Sequence, residues 1–521
     1  MRRFFFASFT AGLSLLVFVL SAAAAVVSGT IDSVSPGSNQ LTVKVGKQGT
    51  SKVFKLAPAA QVTLQGKKAE LLDLEAGQSV TITTDSSGEL VTKVIARASV
   101  GGTAPKTDPA SATPKAKTKK TATRSADVSV APGDWPQFRG PRRDNISDEK
   151  GLLKEWPAGG PKLAWKTTGL GEGYGSVAVV GDLVFTMGTI GDNEHLFALS
   201  RYGGDKKWSI RTGQNRNDGM GGGPRSTPTV DGDRVYALGA NGDLVAANAE
   251  TGQIGWRLNI LNEFNARNIG WGISESVLID GEKLICTPGG RGATMVALNK
   301  LNGQPLWRSA VQGNPAAGYA SAIAIEVGGV RQYVNFVHTG VIGVRASDGT
   351  PLWGQRESAN GTANCSSQVY ADGNVFSASG YGTGGALFRL TAGGGQTRSE
   401  LVYETKQMKN HHGGMVLLDG YVYGFDENIL TCLDLQTGKP AWQNRSVGKG
   451  SLTYADGHLY LRSENGPIAL VEAQPREYVE KGRFEQPDRS RRQAWAHPVV
   501  AGGRLYIRDQ DTLLVYDVQE N

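Results

Sequence analysis

Eight residues of this 521-residue chain join useful side-chain chemistry to recurring positions: Arg225, Trp271, Glu275 and Asn364, then His411, His412, Trp495 and His497. They fall in short polar stretches (219–225, 268–275, 364–365, 411–412 and 495–497), each just ahead of an apolar run. Convergent Arg, Glu, Asn, His and Trp side chains can build a ligand pocket or a small metal site. The same groups can instead satisfy backbone polar atoms around a channel, and the sequence leaves both readings open. His411 and His412 point to opposite faces if they lie on a strand, so one ion cannot take both. Without ligand spacing of the His/Cys kind, no metal is expected and no catalytic residue is assigned. The run Gly219-Met-Gly-Gly-Gly223 follows neither the Walker nor the dinucleotide spacing and is read as a flexible loop. Cys286, Cys365 and Cys432 are far apart and odd in number, which suits small buried hydrophobes better than disulfides.

The elements that must position these residues repeat. From Asp134 onward a turn of the Asp-Gly type recurs at 181, 231, 280, 328, 372, 419, 456 and 502, a period near 46. Each unit reads as four short strands, the last usually carrying Trp: 165, 208, 256, 307, 353 and 442, with Tyr403 and Phe484 in its place. Four strands per repeat make a β-propeller blade. Eight three-strand starts and eight fourth strands are present, but the last unit stops before its fourth strand. Residues 162–168 are a fourth strand without a unit. The chain therefore predicts an all-β fold, an eight-bladed propeller closed by its N-terminal strand, which leaves no open sheet edge.

Ahead of the propeller, Arg2 and Arg3 precede an apolar run over 4–25 that ends in Ser21-Ala-Ala-Ala-Ala25. This is the pattern of a signal peptide (1–25), with an uncleaved membrane anchor as its competitor. Residues 26–98 alternate with period two and suggest a small β-barrel domain, of which the OB barrel is one form. Phe54 is its single aromatic residue, so an aromatic nucleic-acid platform is not expected. Residues 99–133 are Thr, Ala, Pro and Lys with no core periodicity, a linker disordered by composition. That linker and Arg2-Arg3 hold six of the seven net positive charges. The folded segments, 26–98 and 134–521, are nearly neutral, so the chain is not read as nucleic-acid-binding.

The unit Asp231-Gly-Asp-Arg-Val-Tyr236 with Thr251-Gly-Gln-Ile-Gly-Trp256, echoed by Leu433 to Trp442, resembles the pyrroloquinoline-quinone (PQQ) propeller repeat. The opening Asp134-Trp-Pro-Gln-Phe-Arg-Gly-Pro141 looks like that of a secreted bacterial PQQ-like subgroup. The resemblance implies one of two branches. Quinoprotein dehydrogenases hold PQQ and Ca²⁺ under a disulfide of adjacent cysteines and use a carboxylate base. BamB-like propellers are non-catalytic members of the outer-membrane β-barrel assembly machinery. This chain has no adjacent cysteines and no stretch matching the metal ligands or base. The expectation is a periplasmic or secreted scaffold, with no cofactor, whose loop face binds a protein or an envelope polymer. A PQQ- and Ca²⁺-dependent alcohol or polymer dehydrogenase is the alternative.

Overall fold

The computed structural model describes residues 26–97, except 36–39, 46–49, 65–66, 70, 72–73, 75–77 and 86–89, and residues 130–520. The signal-peptide expectation and most of the linker lie outside the described residues. The chain divides into two compact units, Met1–Thr118 and Lys119–Asn521.

In the first unit the period-two pattern becomes six strands: β1 Val26–Ser35, β2 Gln40–Val45, β3 Thr50–Leu64, β4 Lys67–Ala69, β5 Ser79–Thr84 and β6 Leu90–Arg97. Five close into a ring in the order β1-β2-β3-β6-β5, and β4 extends from β3. The pairing of β3 with β6 is parallel, while β1–β2, β2–β3, β5–β6 and β1–β5 are antiparallel. That is the connectivity of an OB barrel. Alternation turns Leu41, Val43, Val80, Ile82, Val91 and Val94 inward. The parallel ladder skips from Leu56 to Gln61, around Pro58, which has no N–H to give it.

Among its described residues the second unit holds eight sheets and a single α-helical turn, Ile260–Glu263. The first blade is Ala178–Val180, Leu183–Ile190, Asn193–Ser200 and Lys206–Gln214, antiparallel throughout. The eighth, Val499–Ala501, Arg504–Asp509 and Thr512–Asp517, is completed by Leu163–Thr167, with Val515 opposite Trp165. The ring thus closes as the count of strands requires. The seventh sheet gains a fifth strand, because Ile146–Ser147 runs parallel to Gly450–Ala455.

The fourth-strand rings are what lock blade to blade. Indole N–H groups of Trp165, Trp208, Trp256, Trp307 and Trp442 donate to carbonyls of Arg201, Ala249, Lys300, Ala346 and Gln474, each in the next blade. The hydroxyl of Tyr403 does the same to Leu435 at 2.7 Å. Against the rings of Trp165, Trp208, Trp256, Trp307 and Tyr403 lies the glycine of the next blade's second turn, with Tyr478 in that place against Trp442. A Cβ on Gly303 would stand 2.8 Å from Trp256, and its φ is +75°. Only glycine satisfies both demands. Trp353 departs from the pattern. The following blade carries the long hairpin Gly384–Gly393 and Gln396–Thr405, whose turn replaces the short Gly turn, and Trp353 donates to Gln332 of its own blade instead.

Candidate functional site

The segment around Asp134–Pro141 is not a flank of the propeller but its axle. Trp135 exchanges both backbone bonds with Val179 of the first blade, and Pro136 accepts from Val230 N–H of the second. Arg143 donates to Ser276, Val277 and Ala322 at the mouths of blades three and four. Arg139 donates to Gln368 and Met415 of blades five and six. Asn145 bonds Leu452 and Tyr454 of blade seven, and the Phe138 ring lies 5.0 Å from that of His497 in blade eight. All eight blades are touched, so residues 135–147 plug the central channel. Arg139, Arg143 and Asn145 adopt φ near +60°, which lets so short a loop coil on itself while its side chains radiate. Burial pushes the guanidinium pKa values of Arg139 and Arg143 down to about 10 and about 9.

Above the plug the segments leading into each first strand form a belt. Ser176 N–H donates to the Thr227 hydroxyl, Thr227 to Ser276, Ser276 to Ser321 and Ser321 to Ser367, all within 3.2 Å. Gly414, Ser451 and His497 occupy the same place in the remaining blades. Two residues ahead of each belt position stand Tyr174, Arg225, Ser274, Tyr319, Cys365, His412, Lys449 and Trp495. Every one of these lines a funnel of about 190 Å³ whose floor is Phe138. Trp271 and His411 join from the same loops, and Tyr381 and Glu464 from turns between second and third strands.

Six of the eight residues singled out by sequence therefore meet: Arg225, Trp271, His411, His412, Trp495 and His497. Glu275 and Asn364 do not. Glu275, 2% exposed, accepts from Thr287 N–H and hydroxyl and from Asn335 in the wall between blades three and four. Burial raises its carboxyl to about 7, against the Thr287 hydrogen bonds and the charge of Arg143. Asn364 donates to the carbonyls of Val337 and His338 and accepts from Asn360 N–H, holding a loop rather than facing the funnel. Both are cases of a polar side chain satisfying backbone and neighbours. Cys286 and Cys432 are buried and free, as small hydrophobes are, but Cys365 is half-buried and lines the funnel. The glycine run is held: Arg225 donates to Gly221 and Gly223 carbonyls, and Tyr174 to that of Met220.

Charges in the funnel occur in pairs. Arg225 lies 3.3 Å from Asp218 and over the Tyr174 ring. Lys449 and His412 lie 3.6 and 3.5 Å from Glu464, which also accepts from the Trp495 indole at 2.8 Å. Burial opposes the ionised form of Glu464, but His412, Trp495 and Lys449 together hold its carboxyl at about 2. His411 lies 3.4 Å from Glu427. Burial lowers the pKa of all three funnel histidines, that of His497 to about 4. His497 donates through Nε2 to the His412 carbonyl at 2.7 Å.

The rings stand in tilted pairs: Trp271 with Tyr319 at 5.5 Å, Tyr174 with Trp495 at 4.3 Å, Tyr381 with His411 at 4.7 Å. Sequence inspection missed Phe138, Tyr174, Tyr319, Tyr381, Lys449 and Glu464. For three of them, Tyr174, Tyr319 and Lys449, a signal existed: each stands two residues before the belt position of its blade.

Fold and site together define a class, the closed eight-bladed propeller of PQQ-type repeats with its loop face gathered into a plugged aromatic funnel. Within that class, the chain belongs to the family described as outer membrane protein assembly factor BamB, which matches residues 145–270 and 214–444. BamB of Yersinia pestis is 26% identical over 320 residues, 59% of this chain and 77% of that protein. Among solved structures, quinohemoprotein alcohol dehydrogenase from Comamonas testosteroni superposes with a TM-score of 0.54 at 12% identity, covering 75% of this chain and 81% of that one. BamB from Moraxella catarrhalis gives 0.45 at 15% identity, covering 64% and 96%. At these identities the structures speak for the fold alone.

The dehydrogenase fold raises PQQ and Ca²⁺ as a cofactor pair. Calcium takes six to eight oxygen ligands, several of them carboxylates. The funnel lining offers one carboxylate, Glu464, already shared by His412, Trp495 and Lys449. Among the described residues no three His, Cys, Asp or Glu side chains are grouped to hold a metal ion. The donor set does not fit a Ca²⁺ ion.

Proposed function

We propose that this protein is a non-catalytic binding propeller of the cell envelope, periplasmic or secreted, that recognises its partner on the loop face with the funnel at its centre. The observation that carries this reading is the charge pairing in the funnel. Its charged side chains are neutralised by neighbours, Arg225 by Asp218 and Lys449 by Glu464, while His411 and His412 stand beside Glu427 and Glu464 and the rings of Trp271, Tyr319 and Trp495 stay partly exposed. Family membership supports the scaffold role, since the family is described by an assembly factor. The N-terminal sequence, basic then apolar then small, supports export. The partner is a protein or an envelope polymer.

Capture from envelope extracts tests this reading. The mature chain is cross-linked beside Trp271→Ala and Trp495→Ala variants and beside Tyr202→Ala, which alters a residue 75% exposed on the opposite face, in the turn between the third and fourth strands of the first blade. Partners are expected to be retained by wild type and Tyr202→Ala and lost from the two funnel variants. Equal capture by all four proteins would move recognition off the loop face.

A further inference from the structure

The funnel also carries information about the chemistry of what it binds. Its cations are spent: Arg225 on Asp218 and Lys449 on Glu464. An anionic ligand would meet cations whose charge a carboxylate already offsets, and a cationic one would meet Glu464 already offset by Lys449. Neither gains what a free charged pocket offers, so electrostatics favour an uncharged ligand.

The walls are not those of a purely apolar site either. The Tyr319 hydroxyl accepts from Trp271 N–H and keeps its own proton to give. Lys449 has three ammonium hydrogens and one carboxylate neighbour in the funnel. A flat hydrocarbon ring would bury these donors unpaired, which costs binding. The ligand must therefore bring oxygen atoms at its rim and a flat, C–H-bearing face for the rings. The aromatic pairs sit on different blades: Trp271 and Tyr319 on three and four, Tyr174 and Trp495 on one and eight.

We propose that the funnel binds an uncharged saccharide, pyranose faces against the partly exposed rings of Trp271, Tyr319 and Trp495 and hydroxyls on Tyr319 and Lys449. This rests on the reading of the loop face as the recognition surface and names the ligand class for its centre.

The test is a titration of tryptophan fluorescence in the full mature protein. The probes are cellobiose, chitobiose and their tetramers, the matching oligouronates, and PQQ as a planar anion. Saturable binding of at least one uncharged saccharide is expected, unchanged by added salt because no ion pair forms. Trp271→Ala and Trp495→Ala should each weaken it at least about tenfold, the scale of one lost aromatic contact with its buried area. Tyr202→Ala should leave it unchanged. Circular dichroism melting keeps a misfolded variant from counting. Binding confined to the oligouronates or PQQ overturns the proposal, as does saccharide binding that survives both Trp substitutions. If none of the uncharged probes binds while the loop face still captures envelope partners, the saccharide assignment falls and the scaffold reading stands.

Discussion

His497 shows how much a single buried side chain in the funnel dictates. Its Nε2–H is committed to the His412 carbonyl, and burial beneath the Phe138 ring holds the imidazole neutral until about pH 4. The unfolded chain protonates the same group near pH 6.5, so it binds more protons between the two values. Stability therefore falls as pH is lowered from about 6.5 to about 4, by roughly 3 kcal/mol at most. Urea midpoints measured across that window should fall less steeply in His497→Gln than in wild type. His412, shifted the same way by burial, keeps the variant's slope from vanishing. Parallel curves would show that His497 titrates normally in the fold. Arg143 offers a second residue-scale check. Arg143→Met keeps the volume but leaves the carbonyls of Ser276, Val277 and Ala322 without their donor, at about 1–3 kcal/mol for each group left unpaired. A thermal midpoint unchanged by that substitution would contradict the plug as described.

Elements differ in how openly the sequence announces them. Blade strands repeat a pattern of turn, alternation and ring, and strand Leu163–Thr167 could be placed by counting because a circle needs its missing piece. The OB connectivity of the small barrel followed from strand number only in outline, since no local pattern reveals that β3 and β6 run parallel. The plug was not legible. Its loop is irregular, held by left-handed Arg139, Arg143 and Asn145, and its partners are carbonyls more than a hundred residues away. Tyr174 and Tyr319 were missed for a related reason: one aromatic residue in a loop carries no period, and meaning appears only when loops are aligned on the hydroxyl belt. The glycine that packs on the fourth-strand rings of Trp165, Trp208, Trp256, Trp307 and Tyr403 is an element-scale device with its own test. Gly303→Ala forces a Cβ within 2.8 Å of Trp256 at positive φ and should destabilise the chain by about 1–3 kcal/mol in chemical denaturation. The same change at Gly232, where a Cβ meets nothing within 4 Å, should cost less although its φ is also positive.

At the scale of the molecule, closure and charge set the function. Joining the two ends of the propeller in one blade removes an exposed edge, and Trp165 packs on Tyr506 inside that blade while its indole ties it to the first blade through Arg201. Trp165→Ala should cost about 3–5 kcal/mol and raise the fraction of soluble aggregate on gel filtration, whereas an unchanged profile would mean the ring holds without it. Most of the net positive charge of the chain falls in Arg2-Arg3 and residues 99–133, and within the propeller the funnel's charges are paired. What remains for recognition is an aromatic, hydroxyl-bearing, electrically balanced face in a fold shared with redox enzymes. The most direct measurement of that claim is cofactor reconstitution: the mature chain is incubated with PQQ and Ca²⁺, freed of excess, and assayed for retained cofactor absorbance and alcohol-dependent dye reduction. A binding propeller retains neither stoichiometric cofactor nor turnover. Stoichiometric retention accompanied by alcohol-dependent reduction would contradict the account and make the protein a dehydrogenase.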